Sequence, residues 1–190
     1  MKKGISLPEL LISIAVFGAI SILFVSIVLT NSRIFSDQRT NIYIASQNRL
    51  ALDEMVNQVR EAQGFATCPV PPCTSVENSD LQQLVLSLWP LDPITGDPYQ
   101  PGGLPVYDYM VYKWNSSTKE LTKYIYTIGA QSKRVANQDI IAKDVTNFTL
   151  SYDVAPPTAS QVTIDLENQT SSLRKTFNFK QTVKAVLRNK

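Results

Sequence analysis

Hydrophobic and polar positions divide the chain into three kinds of stretch: one that is apolar throughout, one with helical spacing and one that alternates. Residues 10–32 are almost wholly apolar and contain no charged side chain. Residues 33–63 contain no Pro or Gly, and their apolar positions recur at helical spacing. From residue 81 onward, short runs of alternating apolar and polar residues are separated by loops rich in Pro, Gly and Asp. These patterns predict an apolar helix, then an amphipathic helix, then a set of β-strands.

The apolar stretch is long enough to cross a lipid bilayer. As an α-helix, residues 10–32 would extend about 34 Å, and the hydrocarbon core of a membrane is about 30 Å thick. A helix in a soluble core keeps a polar face, and this stretch keeps none. A removable secretory signal is disfavoured because the run is too long and lacks a small-residue cleavage site at its end. Lys2 and Lys3 precede the run, so the positive-inside rule favours a cytoplasmic N-terminus.

The amphipathic stretch predicts that the same helix continues beyond the membrane. Its apolar stripe consists of Leu52, Met55, Val56 and Val59. Charged and polar residues lie on the opposite side of the helix, and Gly64 is a typical C-terminal stop. One rod is therefore expected from about residue 5 to 63, with its second half docked on a soluble domain.

The remainder of the chain predicts antiparallel β-structure. The strand candidates are 81–89, 106–114, 121–129, 145–154, 161–167 and 175–188. The last three alternate apolar and polar residues, which is typical of a strand with one buried face. In the last strand the predicted buried face consists of Phe177, Phe179, Val183, Ala185 and Leu187. The fold class predicted is α+β, with a long N-terminal helix packed on an antiparallel β-sheet.

Composition argues against an enzyme and against a nucleic-acid-binding surface. The chain has no His, which removes the commonest general base and nearly every zinc site. Two cysteines without His cannot close a tetrahedral metal site on one chain. The net charge of +2 is spread along the chain, so no strongly basic face is expected.

Two short segments carry candidate chemistry. Cys68 and Cys73 bracket a proline-rich loop, and outside the cytoplasm they can form a disulfide. The loop is short and the geometry of a disulfide is strict, so two free thiols are the alternative. Asp92 and Asp97 lie in a loop rich in Pro and Gly that could bind calcium, although ordinary turn chemistry explains them as well. Otherwise no cofactor is predicted.

The start of the chain, "KGISLPELLISIAVFGAI", carries a family resemblance. It resembles the N-terminus of type IV pilins and type II secretion pseudopilins. In that family a basic leader ends in Gly, and the mature chain begins with an apolar residue, has Thr or Ser second and Leu third, and has Glu fifth. The matching residues here are Gly4, Ile5, Ser6, Leu7 and Glu9. The resemblance implies cleavage between Gly4 and Ile5 by a prepilin peptidase, N-methylation of Ile5 and a role for Glu9 in filament assembly.

The residues around Glu9 can also be interpreted from helix chemistry, independently of the family resemblance. A carboxylate in the first helical turn meets the positive end of the helix dipole. Pro8 fits the same turn because its missing N–H loses no helical hydrogen bond there, although the family usually has a branched aliphatic residue at this position. The family role for Glu9 is pairing with the amino terminus of a neighbouring subunit. The alternative is a carboxylate that simply stays in the headgroup region.

A second resemblance extends over most of the chain. The order "LDEMVNQVREAQGF", a tyrosine-rich hairpin, "IAKDVTNFTLSYDV" and a terminal "VLRN" is similar to J-type minor pseudopilins and competence pseudopilins. It implies a minor component at or near a filament tip. The segments expected are a leader at 1–4, the transmembrane half of the helix at 5–32, its amphipathic half at 33–63 and an extracytoplasmic β-sheet domain at 64–190.

The function predicted is that of a minor structural subunit of a type IV pilus or type II secretion-like filament. The expected partners are the prepilin peptidase, other major and minor pilins or pseudopilins, the inner-membrane assembly platform and, before assembly, membrane lipid. The expected location is the cytoplasmic (inner) membrane, with the N-terminus inside, and then the filament. The alternative is a single-pass membrane anchor for an extracytoplasmic binding module with no filament role.

Overall fold

The computed structural model describes residues 7–66, 82–100, 106–127, 132–172 and 175–188. Within these ranges it contains one helix, α1 (Leu7–Glu61), and eight strands. The strands are β1 (Gly64–Phe65), β2 (Gln83–Leu88), β3 (Asp108–Asn115), β4 (Glu120–Tyr126), β5 (Asn137–Ala142), β6 (Val145–Tyr152), β7 (Gln161–Ser172) and β8 (Lys175–Val186). The α+β class predicted from the sequence, a long N-terminal helix packed on antiparallel β-structure, is confirmed.

The chain divides into two compact units, the first ending at Ile42 and the second beginning at Tyr43. The helical residues of the second unit present one buried stripe to the β-strands. That stripe contains Ile44, Asn48, Ala51, Leu52, Met55, Val56 and Val59. The four apolar positions predicted from the sequence are therefore all buried, and the spacing of three and four residues places them on one side of the helix.

The strands form two antiparallel sheets in which sequence neighbours pair. The larger sheet has the order β1-β2-β3-β4-β5 and the smaller has the order β6-β7-β8. The turn between β3 and β4 is closed by Asn115, whose Oδ1 accepts hydrogen bonds from the backbone N–H groups of Ser117 and Thr118 at 3.0 and 3.3 Å. Because each strand pairs with its neighbour in the chain, neither sheet needs a crossover connection.

The main core lies between the buried stripe of the helix and one face of each sheet. Its largest fully buried side chains include Tyr112 and Met55, together with Phe65, Phe148, Leu84, Leu86, Ile164 and Leu166. On β3, Val111 faces the other way and packs with Val85 and Ala66 in a second, smaller cluster. The alternation of side chains along a strand explains why neighbouring residues serve two different clusters.

A buried amide connects the helix to the smaller sheet. Asn48 is fully buried on α1, and its Nδ2 donates to the Leu166 carbonyl at 3.0 Å and to Asn168 Oδ1 at 2.8 Å. Asn168 is also fully buried and donates to the Lys143 carbonyl at 2.8 Å. These bonds fix where the helix lies along β7, although Asn48 Oδ1 is buried without a hydrogen-bond partner among the described residues.

An ion pair connects the helix to the larger sheet. Lys123 Nζ on β4 lies 2.7 Å from Glu54 Oε1 and 3.9 Å from Asp139 Oδ2 on β5. The Tyr112 hydroxyl is buried near this pair and donates to Met110 Sδ at 3.1 Å. Burial raises the pKa of Tyr112 far above its ordinary value, and the negative charge of Glu54 adds to that shift.

The sequence predicts the correct face of β8 but overstates its burial, and it misses one strand. On the predicted face Ala185 and Leu187 are buried, whereas Phe177, Phe179 and Val183 are only half-buried. For the phenylalanines the reason is register: β6 pairs with β7 only as far as Asn168, whereas β8 continues along β7 to Ser172. Phe177 therefore lies opposite Thr170, past the part of β7 that pairs with β6, and Phe179 lies opposite Asn168, at the edge of that part. Strand β5, which the sequence did not predict, is mostly exposed and lacks an alternating pattern.

Candidate functional site

The first unit presents an apolar helix surface. Every residue from Leu7 to Ser36 is exposed, and no part of the most apolar window of α1 is buried. The exposed large side chains include Phe17, Ile22, Phe24 and Ile27. By length and composition α1 can cross a membrane. An exposed apolar helix surface of this extent requires lipid or protein to cover it.

Hydroxyl groups within this surface are bonded to the helix itself. Ser13 Oγ donates to the carbonyl of Glu9, Ser21 Oγ to that of Phe17, and Thr30 Oγ1 to that of Ser26, each at 2.8 Å. Each bond joins residues four apart, which is how Ser and Thr side chains satisfy themselves in an apolar helix. These side chains therefore do not place unsatisfied hydroxyls in hydrocarbon.

Glu9 lies at the beginning of this surface. It is the acidic residue in the first turn of α1, directly after Pro8, and its side chain is exposed. The described part of α1 begins at Leu7. In a helix that starts at Ile5, as the sequence predicts for the mature chain, Pro8 falls among the first four residues, whose N–H groups have no intrahelical acceptor, and a carboxylate is favoured in the same turn. The described residues of the motif, from Leu7 to Glu9, are helical.

Other predicted site residues lie outside the described ranges. Gly4 and Ile5, the predicted cleavage and methylation site, precede Leu7. Cys68 and Cys73, the predicted disulfide, follow Ala66 and precede Gln82. The cleavage, the methylation and the disulfide remain predictions.

The Asp92 loop is organised by its own backbone. Asp92 Oδ1 accepts hydrogen bonds from the N–H groups of Ile94 at 2.7 Å and Thr95 at 2.9 Å, and the Asp92 N–H donates to the Asp97 carbonyl at 2.8 Å. The bonds from Thr95 and Ile94 lower the pKa of Asp92. Ordinary turn chemistry therefore accounts for Asp92. Within the part of the chain that the structure describes, no three His, Cys, Asp or Glu residues are grouped to hold a metal ion. Calcium binding to Asp92 and Asp97 remains untested.

The structure also contains a site that sequence reasoning missed. A cleft of about 350 Å³ lies at the C-terminal end of α1 and is lined by three arginines, Arg60, Arg134 and Arg188. Leu88 and Trp89 supply apolar surface, and Glu61 is the acidic residue in the lining. Gln63 and Pro98 complete the lining of this site, the arginine cleft. The three arginines come from distant parts of the chain, so no local motif could have revealed the cleft.

A buried carboxylate fixes one of these arginines. Asp108 is fully buried at the start of β3, and its Oδ2 lies 3.3 Å from Arg134 Nε. The same oxygen accepts a hydrogen bond from Ser132 Oγ at 2.6 Å. Ser132 Oγ in turn accepts from the backbone N–H groups of Leu91 and Arg134 at 3.3 and 3.2 Å. Asp108 therefore places the Arg134 guanidinium at the wall of the cleft through an ion pair, and Ser132 connects that carboxylate to the Arg134 backbone.

Comparison with known proteins adds no assignment. No protein-family model, no curated protein and no solved structure matches this chain.

Proposed function

We propose that this protein is a minor structural subunit of a type IV pilus or type II secretion-like filament. The observation that carries the proposal is one 55-residue helix that joins three features. It begins in a pilin-like motif, its first part exposes an apolar surface, and its last part is buried against β-structure. Such a helix can be held in lipid and later packed against other helices, while the β domain faces other subunits.

The mechanism proposed begins with processing. A prepilin peptidase removes residues 1–4, and the new amino terminus at Ile5 is methylated. Glu9, exposed in the first helical turn, then pairs with the amino terminus of a neighbouring subunit. In an apolar environment such an ion pair is far stronger than in water, so it can set the register between subunits.

Mass spectrometry of the N-terminal peptide tests the processing step. Cells with and without their prepilin peptidase would be compared. The proposal expects a mature chain that begins at methylated Ile5 only when the peptidase is present. An intact N-terminus in both strains would overturn it and favour the membrane-anchored binding module.

Substitution of Glu9 tests the assembly step. We expect Glu9→Ala and Glu9→Gln to reduce incorporation into sheared filaments by about tenfold or more, because loss of about 1.4 kcal/mol already changes an equilibrium tenfold. The measurement is an immunoblot of the filament fraction against total protein.

The control for this experiment is Asp53→Ala, which removes an exposed carboxylate from the same helix. It should leave incorporation unchanged. Incorporation of Glu9→Ala at the level of the control would show that Glu9 does not direct assembly.

A further inference from the structure

We infer that the arginine cleft binds a carboxylate-bearing segment of another protein. This inference does not depend on processing or filament assembly. It rests on the charge, the shape and the fixed geometry of the cleft at the end of α1.

The cleft has an excess of positive charge, which favours binding of an anion. Its lining contains three arginines and one acidic residue, Glu61. Among the described residues, neither Arg60 nor Arg188 forms an ion pair, and both side chains are exposed. Like charges held together without partners repel one another, and a bound anion would relieve that repulsion.

Arg134 supplies the preorganised part of the site. It is partly buried, and its Nε faces Asp108, whose other contact at the same oxygen is Ser132. The ion pair places the guanidinium beside Asp108, although the buried Nε itself has no hydrogen-bond partner among the described residues. A guanidinium restricted in this way can present its paired terminal donors to an anion, and the restriction reduces the entropy lost on binding.

The shape of the cleft favours a peptide carboxylate over nucleic acid. A volume of about 350 Å³ is at the lower end of the range for small-ligand pockets, about 300–1,000 Å³. It holds one or two side chains or a chain end, whereas single-stranded nucleic acid needs a basic groove along several phosphates. Trp89 and Leu88 provide apolar surface for an aliphatic neighbour of the carboxylate. The Trp89 ring is itself supported by Tyr107, with ring centroids 4.9 Å apart.

Binding of two matched peptides to the full chain in zwitterionic detergent micelles tests the inference. The acidic probe is acetyl-Ala-Glu-Glu-Leu with a free carboxyl terminus, and its neutral counterpart is acetyl-Ala-Gln-Gln-Leu-amide. The measurement is the shift of the Trp89 indole N–H signal in NMR titrations, assigned with Trp89→Phe. We expect the acidic peptide to shift this signal and the neutral peptide to bind at least tenfold more weakly.

Charge-reversal variants locate the binding site. Arg60→Glu combined with Arg188→Glu should weaken the acidic peptide at least tenfold. Both residues are exposed, so the fold should persist. The matched control is Arg49→Glu, which reverses an exposed arginine of the same helix outside the cleft and should bind like the wild type.

Several results would overturn the inference. Equal affinity for the two peptides would show that the carboxylate is not recognised. Unchanged binding by the double variant, or an unshifted Trp89 signal, would place binding elsewhere. Binding of a short oligothymidylate to the cleft without binding of the acidic peptide would assign the site to nucleic acid.

Discussion

Individual polar side chains in the β domain organise the loops in which they lie. Asp153 is the clearest example. Its carboxylate accepts a hydrogen bond from Ser160 Oγ and others from the backbone N–H groups of Val154, Ser160 and Gln161. These bonds close the loop between β6 and β7. The Ser160 hydroxyl contributes most to lowering the pKa of Asp153, which falls to about 2.

The lowered pKa of Asp153 predicts a pH dependence of stability. Since the pKa of the folded state lies below the ordinary value of about 4, the charged form stabilises the fold above pH ~4. That stabilisation is lost as the pH falls from about 4 to about 2. We expect Asp153→Asn to be less stable than the wild type near neutral pH, and the difference to shrink over this window. Urea denaturation at a series of pH values measures it.

The control for this prediction is Asp53→Asn, which removes one carboxylate from the exposed side of α1. It separates the effect of Asp153 from a general change in net charge. A difference between wild type and Asp153→Asn that stays constant down to about pH 2 would contradict the prediction.

Among the elements of the fold, regular apolar spacing was the reliable predictor. The helix expected over about 5–63 is observed at Leu7–Glu61, and the strand expected at 81–89 is β2. Strand β5 could not be found because its sequence, NQDIIA, is held by pairing with β4 and not by a buried face. Pairing across a sheet depends on tertiary context, which a local pattern does not contain.

The candidate sites also differ in whether a local sequence pattern or the tertiary fold defines them. A role for Glu9 could be proposed from the sequence because the motif that suggests it lies within a few residues. The arginine cleft could not, since its position depends on how α1, β2 and the C-terminal segment meet. The Asn48–Asn168 contact was missed for the same reason: each residue looks like an ordinary polar position until the other is placed beside it.

The Glu54–Lys123 contact between α1 and β4 yields a prediction at this scale. Lys123→Met should lower the free energy of unfolding by about 1–3 kcal/mol, because it leaves the partly buried Glu54 carboxylate without its cation. The side chains of this pair are 17% and 33% exposed. Thermal and urea denaturation followed by near-UV circular dichroism would measure the loss.

The matched control is Arg49→Met, which removes the cation of a second ion pair of α1. Arg49 and Asp53 are 77% and 63% exposed and their charged atoms lie 3.7 Å apart, so this pair should contribute about 0–0.5 kcal/mol. Equal losses in the two variants would show that burial does not govern the strength of these contacts.

At the scale of the whole molecule, the buried core and the exposed apolar helix surface are formed by different parts of the chain. All the buried core residues of the described chain lie between Ile44 and Leu187, and residues 7–36 supply none. We therefore expect a chain of residues 43–190 to fold without the first unit and to stay soluble without detergent. Its near-UV circular dichroism should match that of the full chain.

The comparison is between the truncated chain in buffer and the full chain in micelles. The full chain should partition with membranes after cell fractionation, and residues 43–190 should not. Loss of cooperative unfolding in the truncated chain would show that the first unit is required for the fold of the second.

The hydroxyl bonds of Ser13, Ser21 and Thr30 have a consequence for how the helix changes its surroundings. Because each bond is closed within one turn, moving the helix from hydrocarbon to a protein neighbour neither breaks nor creates it. In the assembly proposed above, the free energy of that transfer would therefore come from how well the apolar surfaces fit and from the charge at Glu9. The three hydroxyls would then leave the register to the proposed pairing of the Glu9 carboxylate.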